Sequence, residues 1–116
     1  LFACSQSTPI RRAVNDSAIA TLSQLDGDIT FTQVDGLNVK FDGKLNKGIL
    51  NNDPGNYFIS IGATLASFSQ LGITISVPGT LPFTTQGPGD VEIIIGLKLS
   101  VLYNDNTLDS ATITKN

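Results

Sequence analysis

No histidine, methionine or tryptophan occurs anywhere in the 116 residues, and cysteine occurs once, as Cys4. Without histidine there is no imidazole to act as a general base or as the nitrogen ligand that copper favours. Ser-His and Cys-His nucleophilic pairs and zinc constellations are excluded with it. A single cysteine gives no internal disulfide, so stability rests on strand pairing and core packing. Charge is also scarce. Charged residues make up 15% of the chain against 41% hydrophobic ones, and the net charge is −3. Such a composition folds, and leaves a surface made largely of Ser, Thr, Asn, Gln and Gly. No basic stripe exists to meet phosphates or an anionic membrane, which argues against both as partners. No uninterrupted apolar run approaches the roughly 20 residues needed to span a bilayer. The length suits one domain with a single modest core.

What the chain does have is alternation. In Val91–Tyr103 every odd-numbered residue is apolar: Val91, Ile93, Ile95, Leu97, Leu99, Val101 and Tyr103. A period of two puts them on one face of a strand. The run is long for one strand, and Gly96 at its middle offers a bulge or bend that lets it serve both sheets of a sandwich. This stretch is the expected central strand. A hairpin is predicted before it, with Ile29 and Phe31 alternating on one arm and Val39 and Phe41 on the other, joined by Val34-Asp35-Gly36. Asp42-Gly43 repeats the turn dipeptide. Residues 46–56 are dense in turn formers, with Pro54-Gly55 suited to a type II turn. Tyr57–Gly62 is predicted as a strand, Ala63–Gln70 as the one plausible helix, and Leu71–Val77 as a further strand. A short edge strand around Pro82 and a last one at Leu108–Ile113 complete the chain. About seven to eight strands read as an all-β protein, a single antiparallel β-sandwich or flattened Greek-key barrel.

The first twelve residues differ from the rest. Leu1–Cys4 followed by small polar residues has the character of a secretory signal-peptide tail, and Arg11-Arg12 matches a dibasic processing site. The expected division is therefore a removed segment, 1–12, and a β-sandwich domain, 13–116. Losing both arginines would take the net charge to −5. Asn15-Asp16-Ser17 is an N-x-S sequon and fits the same secreted, extracellular compartment.

Carboxylate pairs are the remaining catalytic option: Asp26 with Asp28, Asp35 with Asp42, Asp105 with Asp109. Glycosidase chemistry needs two facing each other across a cleft. Most of these lie beside Gly or Asn, where Asp caps its own turn. Asn51-Asn52-Asp53 and Asn104-Asp105-Asn106 offer oxygen ligands to calcium, but neither matches an EF-hand loop. No phosphate-cradling glycine loop follows a strand and opens a helix. Phe58, Phe68, Phe83 and Tyr103 read as core. No catalytic, cofactor-binding or metal-ligating residue is assigned.

Two stretches together carry a resemblance. Gly27–Gly48, GDITFTQVDGLNVKFDGKLNKG, resembles the first hairpin of copper/zinc superoxide dismutases, with Gly27, Ile29, Phe31, Gln33, Val39, Gly43, Leu45 and Gly48 in the expected places. Gly96–Ile113 is similar to the closing segment of the secreted copper-only branch found in fungi. The resemblance implies the dismutase fold. It also places Phe58, Ser60 and Tyr103 where that family has copper-binding histidines, and the chain departs further from the family's pattern in lacking the disulfide cysteines and having a much shortened metal-loop region. The fold would then stand without the activity: not an enzyme, with no metal or other cofactor. The expected function is a secreted, non-catalytic domain whose loops or exposed sheet contact an extracellular protein, glycan or lipid, and a monomer is expected. A second resemblance competes. Val39–Gly48 (V-x-F-x-G-x-L-x-K-G) followed by Pro88–Ile93 is similar to fungal lipid-recognition domains of the ML type, which hold a lipid between their sheets. A carboxylate-dependent hydrolase is the remaining alternative.

Overall fold

The structure, a computed structural model, describes residues 16–116. Cys4, Arg11-Arg12, Asn15 and the expected boundary after residue 12 lie outside the described residues. Three strands open the fold as a meander: β1 (Ser17–Leu22), β2 (Gly27–Gln33) and β3 (Asn38–Lys44). The chain then crosses to a second sheet for β4 (Tyr57–Ile61) and β5 (Thr64–Ser67). A short helix, α1 (Phe68–Leu71), and the two-residue strands β6 (Ile75–Ser76) and β7 (Gly79–Thr80) lead back to β8 (Phe83–Pro88). A second short helix, α2 (Val91–Ile94), precedes β9 (Lys98–Tyr103), β10 (Asn106–Thr112) and β11 (Thr114–Lys115). One sheet has the order β11-β1-β2-β3-β8 and the other β10-β9-β4-β5, with every pairing antiparallel. This is the predicted all-β Greek-key sandwich. Among the described residues no helix is long and apolar enough to cross a membrane.

The period of two sets the core. Ala18, Ala20 and Leu22 from β1, Ile29 and Phe31 from β2, Val39 and Phe41 from β3 face Tyr57, Ile59, Leu99 and Val101 from the other sheet. Aromatic rings form two groups. Phe31 and Phe41 meet edge to face at 5.2 Å, with Phe83 5.8 Å from Phe41, and Tyr57 lies 5.3 Å from Phe68 and 4.6 Å from Tyr103.

The expected central strand is corrected. Val91–Tyr103 is a helical turn, a reversal at Gly96 and a strand of six residues. Val91, Ile94 and Ile95 share the i, i+3, i+4 spacing of a helix face, and these pack inward while Ile93 stands 68% exposed. Asp90 caps the turn by accepting from Glu92 N at 2.9 Å, and Val91 N donates to the buried Gln33 Oε1 at 2.9 Å. Gly96 then adopts φ +92°, a conformation that side-chain-bearing residues rarely reach. Only from Leu99 onward does the alternation belong to a strand.

Ala63–Gln70 is corrected likewise. Thr64–Ser67 pairs with β4, and the helix starts only at Phe68, where Ser67 and Gln70 form a reciprocal capping box of 3.1 and 2.9 Å. The strand expected over 71–77 shrinks to Ile75–Ser76. Asp42-Gly43 lies inside β3 rather than in a turn. A Cβ on Gly43 would approach the Asp28 carbonyl and the Phe83 ring to 2.8 Å, so close packing requires glycine there. Strand β1 is an addition that the alternation of alanines did not announce.

Candidate functional site

Strands β4 and β9 are direct neighbours, with Phe58 opposite Leu102, Ser60 opposite Ser100, and Tyr57 opposite Tyr103. Tyr57 is buried, so its face and that of Tyr103 is the core face. Phe58, Ser60, Ser100 and Leu102 therefore share the outer face. This corrects two readings. Phe58 is half-buried on the outside of the sheet rather than in the core, and Tyr103 cannot stand for a third ligand beside Phe58 and Ser60. The residue that the register puts there is Leu102. Sequence spacing alone left a one-residue ambiguity, and one residue switches the face.

The outer face is bare of donors suited to copper. On β5, Leu65 lies opposite Ser60 and Ser67 opposite Phe58. Hydroxyls, phenyl and isobutyl groups are all that this patch presents, and the Ser60 hydroxyl donates to the Gly62 carbonyl at 3.4 Å. Imidazole and thiolate, which copper sites select, are missing. The residues do not fit the metal. Among the described residues no cluster of three or more His, Cys, Asp or Glu side chains exists. The connections beside the patch are minimal as well: Gly62-Ala63 joins β4 to β5, and Asn104-Asp105 joins β9 to β10.

The candidate carboxylates are dispersed. Asp35 caps the β2–β3 turn, accepting from Leu37 N (2.8 Å), Asn38 N (2.9 Å) and the Asn38 amide. The Leu37 N–H, followed by the Asn38 side chain, holds its carboxyl below the ordinary aspartate range, with the Asn38 N–H adding to the effect and slight desolvation opposing it. Asp42 lies along β3, with Lys40 3.6 Å away in an exposed ion pair. Asp26 is in the β1–β2 turn with φ +50°. Asp53 accepts from the Asn56 amide at 2.5 Å within its own turn. Asp109 is the exception, being buried. Its Oδ2 accepts from Gln24 N (2.8 Å) and Leu25 N (3.2 Å), and its Oδ1 from Ser110 N (2.8 Å). Sequence reading placed it in the last strand and paired it with Asp105; in the structure it ties β10 to the β1–β2 turn.

One concave feature stands out. A cleft of about 440 Å³ opens between β8 and β5, with Phe31, Val39, Phe41, Ile61, Leu71 and Ile94 forming its apolar walls. Elsewhere between the sheets Ala18, Ile29, Ile59, Leu99 and Val101 belong to one buried core cluster.

Compared with protein-family models and with curated protein sequences, the chain matches none. Among solved structures, a point mutant of superoxide dismutase 5 from Candida albicans matches with a TM-score of 0.56 and 20% identity over 86% of this chain and 92% of that one. The chain thus has a superoxide dismutase-like β-sandwich fold.

Proposed function

We propose that this chain is a secreted, non-catalytic domain on the superoxide dismutase-like fold, which acts outside the cell or at its surface by contacting a partner. One observation carries the reading. The family resemblance places copper ligands at Phe58, Ser60 and Tyr103; on the outer face of β4 and β9 the chain has Phe58, Ser60 and, by register, Leu102, and it has no histidine elsewhere to replace them. Hydroxyl and hydrocarbon groups neither hold a copper ion nor tune its potential. The two-residue links at Gly62-Ala63 and Asn104-Asp105 support the same reading, since no longer loop rises there to enclose a reacting site. Secretion rests on the character of Leu1–Cys4, the Arg11-Arg12 pair and the Asn15 sequon.

The test is native mass spectrometry of the purified chain before and after copper addition, combined with a superoxide dismutation assay. The proposal expects an unchanged protein mass and a rate no higher than buffer. Stoichiometric copper with dismutation would contradict it.

A further inference from the structure

Two features of the seam between β8 and β5 coincide. The first is a strand edge with no partner. Among the described residues β8 pairs with β3 alone. Val34 N donates to the Asn38 carbonyl at 3.0 Å, so Asn38, Lys40 and Asp42 turn their backbone groups toward β2. Val39, Phe41 and Gly43 then bond Gly87, Thr85 and Phe83 on the other side, by the alternation of an antiparallel ladder. Gly89 N continues that alternation by donating to the Leu37 carbonyl at 2.9 Å. The backbone groups of Thr84 and Gln86 are left aimed out of the sheet. Native edges are usually guarded by charge, proline or a bulge. Here Pro82 and Pro88 bracket the edge, and Thr84 and Gln86 between them stay open, with no charge and no bulge to guard them.

The second feature is the cleft beneath this edge. It exists because the inward positions of both edge strands are small. Thr85 and Gly87 lie opposite Phe41 and Val39, and Thr64 and Ala66 lie opposite Ile61 and Ile59. A Cβ built on Gly87 would meet no atom within 4 Å. The walls are mainly apolar, with Thr64, Gln70, Thr85, Gln86 and Asp90 as the polar side chains that line it. Among the described residues no Lys or Arg lines the cleft, so no described cation there meets an acidic occupant.

We propose that the β8 edge and the cleft form a single docking site for an extended, uncharged segment of a partner protein. The segment adds as a strand to β8, bonds the outward groups of Thr84 and Gln86, and seats its alternate apolar side chains in the cleft. Main-chain bonds supply affinity in this mode and side-chain pockets supply selectivity. A lipid would use the cleft and leave the edge unpaired, so the coincidence of the two favours a peptide. The site deepens the reading of the chain as a binding domain, and it can fail while that reading stands, because copper has no part in its test.

The probe is a terminally blocked peptide with Lys at each end and six central residues alternating Thr and Val, titrated into the full chain and followed by amide hydrogen exchange. Saturation should slow exchange at Thr84 and Gln86 by about tenfold or more, while Thr85 and Gly87, already bonded to β3, stay unchanged. Gln86→Pro removes one outward donor and spares the β3 ladder; Gly87→Val fills the cleft. Each should weaken binding by about tenfold. Should Gln86→Pro fail to fold, Gly87→Val carries the test alone. Unchanged exchange at millimolar peptide, or binding that survives Gly87→Val, would overturn the proposal. So would a monoacylglycerol that shifts the Phe31 and Phe41 resonances where the peptide does not, since the cleft would then belong to a lipid.

Discussion

Where β1 meets β10 and β11, backbone bonds carry the chain from one sheet to the other, whereas between β8 and β5 no described backbone bond joins the sheets. On the first side β10 belongs to one sheet and β11 to the other, with the fully buried Ile113 between them. Its carbonyl accepts from Gly96 N at 2.7 Å and its N–H donates to the Leu97 carbonyl at 2.9 Å. Asp109 adds its bonds to Gln24 N and Leu25 N. On the second side the edge strands turn Thr, Ala and Gly inward, and a cleft remains. The difference is a division of labour. One seam is tied by backbone and Asp109 hydrogen bonds; the other keeps a cleft and the outward backbone groups of β8, which the proposed partner would cover.

The largest expected effect lies in the closed seam. Asp109→Ala strands the N–H groups of Gln24 and Leu25, the second in a buried position, and should cost about 3 kcal/mol. That corresponds to a fall of more than about 10 °C in Tm, read by calorimetry. A fall of only a degree or two would mean that the seam is held by packing alone. In the open seam Gly87→Val should do the reverse. Its side chain enters empty space, so stability should hold or rise by about 1 kcal/mol. A loss comparable to that of Asp109→Ala would show that the cleft is a packed part of the core, and the comparison would collapse.

The smallest effect belongs to neither seam. Asp35 in the β2–β3 turn has its folded-state pKa lowered by the Leu37 N–H and by Asn38. Folding then favours the charged form, and the sign follows from linkage: this stabilisation is complete above the unfolded-state pKa and disappears as pH falls through the lowered folded value. Asp35→Ala should therefore lower Tm slightly at neutral pH and match the wild type in strong acid. A Tm difference that persists unchanged at acid pH would assign the effect to the backbone rather than to the carboxylate.

Much of this fold is legible in the residues. The hairpin of Ile29, Phe31, Val39 and Phe41 and the strand at Tyr57 announce themselves because their inward side chains are large and, Phe58 apart, their outward ones polar. Strand β1 hides because two of its three inward residues are Ala18 and Ala20, with only Leu22 large, while Ile19 points outward. Val91–Leu97 misleads for a different reason. A run so rich in apolar residues satisfies the strand template and the helix template together, and a cap from Asp90 with a buried amide at Gln33 decides between them. Gln33 itself reads only as a place in the hairpin pattern, yet its side chain pins Asp35, Asn38, Gly89 and Val91 together. The open seam is the least legible part. Thr64, Ala66, Thr85 and Gly87 are unremarkable residues until the topology puts them on facing edges. The absence of histidine was plain from the start, but which residue stands third beside Phe58 and Ser60 required the register.

That register gives the most direct test of the proposal that this dismutase-like sandwich carries no copper-binding face. Two triple variants would be compared by equilibrium dialysis against copper. Phe58→His, Ser60→His and Leu102→His together place three imidazoles on the outer face and should bind one copper tightly. The same pair with Tyr103→His puts the third ring on the core side beside Tyr57, and should bind copper no better than Phe58→His with Ser60→His alone. Equal affinity in the two triple variants, or none in the first, would contradict the account.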